Sequence, residues 1–221
     1  MQITLLCNSQ LHPVNEWLEH WQSKHEQEQE HDILLCRDQR ELPGGDLLFL
    51  VSCSQIIDEN IRNRYKYTLV LHASDLPQGR GWSPHVWAIL EGAKAITVSL
   101  LQAEDSVDTG AIWAKRSFSI PKDALYDEIN RCLFETELML MDEAILLVKS
   151  GMKPQPQLKS IKPTYYRKRT PEDSEIDATQ PLNKLFNKIR VMDPCRYPAF
   201  FHLHGHTYTI KLKKVKNNES D

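Results

Sequence analysis

The chain has 221 residues, 41% of them hydrophobic, with 27 Lys and Arg against 30 Asp and Glu and a formal net charge of −3. That length holds one α/β domain with a real core and a smaller appendage. The slightly acidic balance gives no general attraction to nucleic acid, and no apolar run approaches the roughly 18 residues of a membrane span.

In chain order, ITLLC, DILLC, DLLFLVS and YTLVL are short apolar runs that predict four strands. Between the first two, residues 13–29 carry Val14, Trp17, Leu18 and Trp21 at helical spacing. Residues 54–64 predict a second helix, with Ile56, Ile57 and Ile61 on one side. Strands alternating with helices imply a parallel sheet. Such strands are buried on both faces, which explains their nearly continuous apolar character.

Residues 84–91 predict a short helix with Pro84 in its first turn and Gly92 past its end. AITVSLLQ and AIWAKRSFSI give two further strands. Residues 122–150 form the longest amphipathic helix, with Leu125, Ile129, Leu133, Leu140, Ala144 and Leu147 as its inner stripe and Gly151 as its cap.

From Lys153 the composition turns to Pro and charge, predicting a segment that runs extended over the surface. PLNKLFNKIR predicts a short helix, PAFFHLHGHTYTIKLKKV a β-hairpin around Gly205 ending in a lysine-rich edge, and KNNESD a frayed end. The expected division is residues 1–152 as one domain and residues 153–221 as a C-terminal extension.

Five scattered cysteines, Cys7, Cys36, Cys53, Cys132 and Cys195, form no C-x-x-C pair. Buried thiols in a reducing cytoplasm are expected, rather than a disulfide or zinc framework. MQITLLCNSQ lacks the basic start and long apolar stretch of a secretory leader. His202, His204 and His206 alternate, but Gly205 breaks the register and no carboxylate or thiolate lies close in sequence, so no metal is expected.

The stretch LHASDLPQGRGWSPHVWAILEG, followed by AEDSVDTGAIW, carries the chemistry. His72 follows an apolar strand directly and opens a Gly- and Pro-broken loop, so it stands where a sheet ends and a crevice begins. A histidine there acts as acid or base near neutral pH. Asp108, in the turn SVDTG, is the candidate carboxylate to orient it.

HASDLPQGRGWSP followed by DTG resembles the folate-dependent formyltransferases. Their signature is roughly Asn-x-His-x-Ser-Leu-Leu-Pro, a Gly-containing loop, and then Asp-x-Gly. The family's His and Asp fall on His72 and Asp108, its Ser on Ser74, and its Leu-Pro pair on Leu76 and Pro77. Similarity is traceable from about residue 46 to 147, and more weakly through YYRKRTPEDSEID and the tail. The tail resembles the sugar N-formyltransferase branch. Closest in look are the short enzymes proposed for pseudaminic-acid-type sugar nucleotides. At one position the chain departs: the family's Asn, which helps polarise the formyl oxygen, is here Val70.

The resemblance implies a Rossmann-like α/β domain with a mostly parallel sheet and a short C-terminal β-rich extension. It implies formyl transfer from N10-formyltetrahydrofolate to the amino group of a UDP- or dTDP-linked amino deoxy sugar, with His72 and Asp108 catalytic. Formyl transfer to another small amine, or a binding or regulatory homologue with little turnover, are the rival readings. The cofactor's pterin maps onto Ser54, Gln55 and Ile56 and onto Ala103, Glu104, Asp105, Ser106 and Val107, with Ser74, Leu76 and Pro77 shaping the cleft. Ser52 and Ser54 as caps of the next helix are an equally good account of those two serines.

Arg80, Gly81 and Trp82 fall at the crevice mouth, where Arg could fork onto a diphosphate and Trp cover a sugar or base. A solvated Arg and a packed Trp explain them as well. Tyr165, Tyr166 and Arg167, with Lys168 and Arg169, suit a nucleotide diphosphate or else a charged linker docked by its tyrosines. The family's transfer-RNA enzymes carry an extra C-terminal domain that 221 residues cannot hold, which counts against that acceptor. A homodimer through C-terminal elements is a further expectation of the sugar branch.

Overall fold

The computed structural model describes residues 1–28 and 31–215. The predicted end of the first helix at Gln29 and the frayed terminus at residues 216–221 lie outside the described residues.

Six strands form the central sheet: β1 (Gln2–Leu6), β2 (Asp32–Cys36), β3 (Gly45–Leu50), β4 (Tyr65–His72), β6 (Ala95–Gln102) and β7 (Ile112–Ser119). Their order is β2-β1-β3-β4-β6-β7. The first four run parallel, and β6 and β7 are antiparallel additions. The sheet is therefore mostly parallel, as the alternating pattern predicts. Its strands are apolar on both faces because both are covered. Leu5, Phe49, Leu69 and Leu100 enter a large core on one side, while Leu6, Leu48 and Leu50 enter a smaller one on the other.

Helix α1 (Val14–Gln27) buries Val14, Leu18 and Trp21 as the spacing predicts. It is pinned to α4 (Tyr126–Lys149) where the Trp21 indole donates to Asp142 at 2.7 Å. Helix α4 starts later than its apolar stripe suggests. The Leu125 amide donates to the Glu128 carboxylate at 2.8 Å, closing the first turn there. Gly151, at φ +72°, ends it in the left-handed conformation. Helix α3 (Pro84–Leu90) has Pro84 at its start and Gly92 at φ +94° past its end, as predicted. Among the described residues no helix is long and apolar enough to cross a membrane.

The predicted helix over residues 54–64 shrinks to α2 (Glu59–Arg62), capped by the Asp58 side chain rather than by Ser52 or Ser54. Tertiary contacts hold the preceding stretch open. Asn8 exchanges two 2.9 Å hydrogen bonds with Ser54, and Arg62 reaches back to the Ile57 carbonyl at 2.6 Å. Ile57 is buried, but Ile56 is 67% exposed and does not share its side.

The extension is tied into the same protein core. Ile176, Leu185, Ile189 and Ala199 join the cluster under α4. Helix α5 (Leu182–Val191) is followed by the hairpin of β9 (Ala199–Leu203) and β10 (His206–Ile210). His204 (φ +50°) and Gly205 (φ +75°) form a two-residue turn with both residues left-handed. That turn takes His204 off the strand face, and His202 bonds the Thr207 hydroxyl at 2.9 Å. Among the described residues the predicted lysine-rich edge does not form: β10 ends at Ile210, and Lys214 bridges Asp123 and Glu128 instead. All five cysteines are free thiols; Cys7 and Cys36 are buried as expected, whereas Cys195 is exposed.

Candidate active site

In a parallel sheet, the loops after two neighbouring strands diverge where the chain switches direction, and a crevice opens there. Here β1 feeds β2 on one side, while β3 lies on its other side. The loops after β1 (Asn8, Ser9, His12) and β3 (Ser52, Cys53, Ser54) line a cavity of about 540 Å³. His72, the last residue of β4, lines it too, with Asp108 from the turn between β6 and β7.

The pair predicted from sequence is brought together. His72 Nδ1 and Asp108 Oδ1 are 3.5 Å apart, and each side chain is 8% exposed. The other ring nitrogen, Nε2, donates to the Gly79 carbonyl at 2.8 Å. Asp108 sits at φ +56° and is held by its second oxygen, which accepts from the Gly81 amide at 2.8 Å. Both ends of the contact are thus fixed by the loop over residues 79–81.

That loop is held by the segment after residue 153, which does run extended but not idly. Strand β5 (Arg80–Gly81) pairs in parallel with β8 (Tyr165–Tyr166). Thr164 accepts from the amides of Gly79 and Arg80, and the Tyr166 carbonyl accepts from Trp82. A Cβ on Gly81 would stand 2.3 Å from the Tyr166 carbonyl oxygen, so the strap closes only over glycine. The Gln157 amide donates to the carbonyls of Asp108 (2.7 Å) and Gly110 (2.9 Å), while its oxygen accepts from Arg80 at 2.6 Å.

The remaining predicted residues fall into four groups. Ser54, Gln55, Ile56, Ala103, Glu104, Asp105, Ser106 and Val107 all line the cavity, as do Gly81 and Trp82. Ser74 and Leu76 act from beneath the loop: the Ser74 carbonyl accepts from Ser99, and Leu76 is 3% exposed. Pro77 and Arg80 line a separate cleft on the outer side of the Asp turn. Arg80 is engaged there by Gln157 and Tyr165. Tyr166 bonds Glu91, and Arg167 pairs with Asp173 over the Trp87 ring. Tyr165, Tyr166 and Arg167 are thus engaged as a docked linker would be, whereas Arg80, expected either on a diphosphate or in solvent, is held by Gln157 and Tyr165.

Several further residues line the cavity. His12, His85, Asn130, Glu137 and Arg196 carry no sequence motif, and with Arg169 of the charged segment they converge from five parts of the chain. Burial and the neighbouring Arg196 hold His12 down at about 4. Burial, then His12, Arg169 and His72, do the same to His85, also at about 4. Both imidazoles are neutral at pH 7. Burial pushes the Glu137 carboxyl up to about 8, and it lowers the Arg169 guanidinium. The apolar stripe read along α4, through Ile129, Leu133 and Leu140, does not include Asn130 or Glu137.

Residues 6–145 match the family described as Formyl transferase. The chain belongs to the formyl transferase family. The family's formyl donor is N10-formyltetrahydrofolate. A mitochondrial 10-formyltetrahydrofolate dehydrogenase from Mus musculus is 32% identical over 152 residues, 68% of this chain and 16% of its own. The chain therefore spans a small part of that relative. A solved methionyl-tRNA formyltransferase from Clostridium thermocellum aligns over 99% of this chain and 95% of its own, at TM-score 0.79 and 24% identity. A formyltransferase PseJ from Anoxybacillus kamchatkensis, solved with UDP-4,6-dideoxy-4-formamido-L-AltNAc and tetrahydrofolate, covers 76% of this chain and 86% of its own, at TM-score 0.59 and 23% identity. These likenesses show the fold.

The residues present fit the family's donor. Leu50, Val70, Leu101 and Ala103 give apolar walls for a flat ring. In the same cavity, the buried Gln55 Oε1 has no hydrogen-bond partner among the described residues and can accept from a pterin edge.

Proposed function

We propose that the chain transfers a formyl group from N10-formyltetrahydrofolate to the amino group of a nucleotide-linked amino deoxy sugar. The observation that carries the transfer chemistry is the His72–Asp108 contact, 3.5 Å long, at the rim of one continuous cavity. The cavity is lined by the walls and loops mapped to the pterin and also by Lys168, Arg169 and Arg196, which suit a diphosphate.

When bound, the folate supplies the formyl carbon. The protein's part is positional and protonic. His72 takes a proton from the attacking amine as the new C–N bond forms, and returns it to the leaving nitrogen. Asp108 faces Nδ1 and steadies the ring while it carries the extra proton. The Gly81 amide and Gln157 keep Asp108 where it is. For the proton transfer Nε2 leaves the Gly79 carbonyl and the ring proton sits on Nδ1, facing Asp108, so that Nε2 is free to accept the proton of the incoming amine. Trp82, with the Lys168 ammonium 5.0 Å over its ring, closes the mouth.

Val70 gives a second reading its support. It lines the cavity where the family has a carboxamide, beside Leu50 and Leu101 in the sheet. A formyltransferase-fold binding protein with little turnover would tolerate that loss. Incubation with N10-formyltetrahydrofolate and a panel of UDP- and dTDP-amino sugars, amino acids and methionyl-tRNA tests both. Formylated amino sugar as the preferred product is expected. Product only from a different amine refutes the sugar assignment, and tight ligand binding with no product refutes transfer itself.

A further inference from the structure

Helix α4 turns a mixed face toward the cavity. Asn130, Leu133, Phe134 and Glu137 lie along it at helical spacing. The apolar pair is what a packed helix supplies. The polar pair is not: Asn130 is 8% and Glu137 4% exposed, and among the described residues neither the Asn130 amide nitrogen nor Glu137 Oε2 has a hydrogen-bond partner. Buried polar groups in folded proteins are nearly always paired, so two on one cavity wall ask for a partner within the cavity.

Nearby protein groups are already engaged. Asp193 accepts from Tyr126 (2.8 Å), from Arg196 Nε, and from the amides of Cys195 and Arg196. His12 Nδ1 accepts from the Val14 amide, and its ring packs 6.0 Å from Phe134. Because burial keeps Glu137 a neutral acid at pH 7, it both donates and accepts, as a carboxamide does. Two such groups complement hydroxyls and amides better than a bare charge. They stand seven residues apart, about 10 Å along the axis, with an aromatic and a leucine between them. Polar, apolar, polar matches a pyranose ring whose C–H face lies on Phe134 and whose substituents reach both ways.

We propose that Asn130 and Glu137 form an acceptor subsite that recognises hydroxyl or acylamino substituents of a sugar ring. The inference rests on the reading of this cavity as the place where a formyl acceptor binds. It adds which residues choose the acceptor's class.

The full chain is titrated by calorimetry with UDP- and dTDP-linked hexoses and acetamido-hexoses, and with UDP and dTDP alone. The side-chain amide resonance of Asn130, assigned through Asn130→Asp, is followed in labelled protein. Wild type is expected to bind the sugar-bearing ligands at least tenfold tighter than the bare diphosphates, with a shift of the Asn130 resonance. Asn130→Leu and Glu137→Leu should reduce that preference to threefold or less, while Glu137→Gln keeps it. The proposal is overturned if wild type shows no preference for the sugar-bearing ligands, or if both leucine variants retain it. It is equally overturned if the Asn130 resonance does not move, or if Glu137→Gln loses as much as Glu137→Leu. None of these results removes folate-dependent formyl transfer to another amine. Absence of formylated product with every acceptor would instead overturn the function itself.

Discussion

Replacing Asp108 by Asn isolates the charge in the catalytic pair. The amide keeps the shape and an oxygen for the Gly81 amide, now 2.8 Å away, so the loop should hold. What goes is the negative charge facing His72 Nδ1 at 3.5 Å. At an effective dielectric near 20, two unit charges at that separation attract by about 5 kcal/mol. The neutral amide still accepts a hydrogen bond, and the ring carries its extra proton only in passing. A loss of about 2–3 kcal/mol from the transition state, roughly 30- to 150-fold in rate, is therefore expected. Single-turnover formyl transfer to the accepted amine, with thermal unfolding as a control on the fold, measures it. Reduced kcat with a near-unchanged KM and melting temperature is the expected pattern. An Asp108→Asn protein that turns over at the wild-type rate refutes the assigned chemistry.

Three other outcomes follow from the same geometry. Gly81→Ala puts a Cβ 2.3 Å from a backbone oxygen at φ +97°; separation of the strap from the His loop should cost at least about 2 kcal/mol, or roughly 4–8 °C of melting temperature, and an unchanged melting curve would contradict the strap. Val70→Asn restores a carboxamide to the cavity wall and should raise turnover tenfold or more, since one such donor is typically worth about a hundred- to a thousand-fold; no gain in single-turnover rate would mean that another group already fills the role. Glu137, held up to about 8 by burial against an ordinary 4.5, stays protonated in the fold while the unfolded chain ionises. Its contribution is therefore complete below about pH 4.5 and drains away as pH rises toward 8, by up to about 1.4 kcal/mol per unit. Melting curves from pH 5 to 8 should show wild type losing more stability than Glu137→Gln, and parallel losses would refute the buried neutral acid.

The sequence alone determined the parts of this protein that depend on local pattern. Continuous apolar runs could only be strands covered on both faces, and a 3.6-residue stripe placed α1 and α4. His72 was legible because a histidine follows an apolar strand without a break, and Asp108 because the resemblance names a turn for it. Where neighbours in space outweigh neighbours in the chain, the reading went astray. The helix over residues 54–64 lost its first turns because Asn8, 46 residues away, competes for Ser54. Arg80, Tyr165, Tyr166 and Arg167 have the chemistry of a diphosphate site, but partners from distant segments take that chemistry up.

Only the tertiary structure decided what surrounds the catalytic pair. Gln157 bonds Asp108 and Gly110 across nearly 50 residues of chain, and no periodicity marks a glutamine for that task. Asn130 and Glu137 are buried on α4, but as polar residues they fall outside its apolar stripe. That the burial faces a cavity follows from where the loops after β1, the loop at residues 168–170 and the residues after α5 come to rest against that helix. Composition and period fix which surfaces leave water. Which of those surfaces meet one another, and which meet a ligand, is set by long-range packing that carries no signature along the chain.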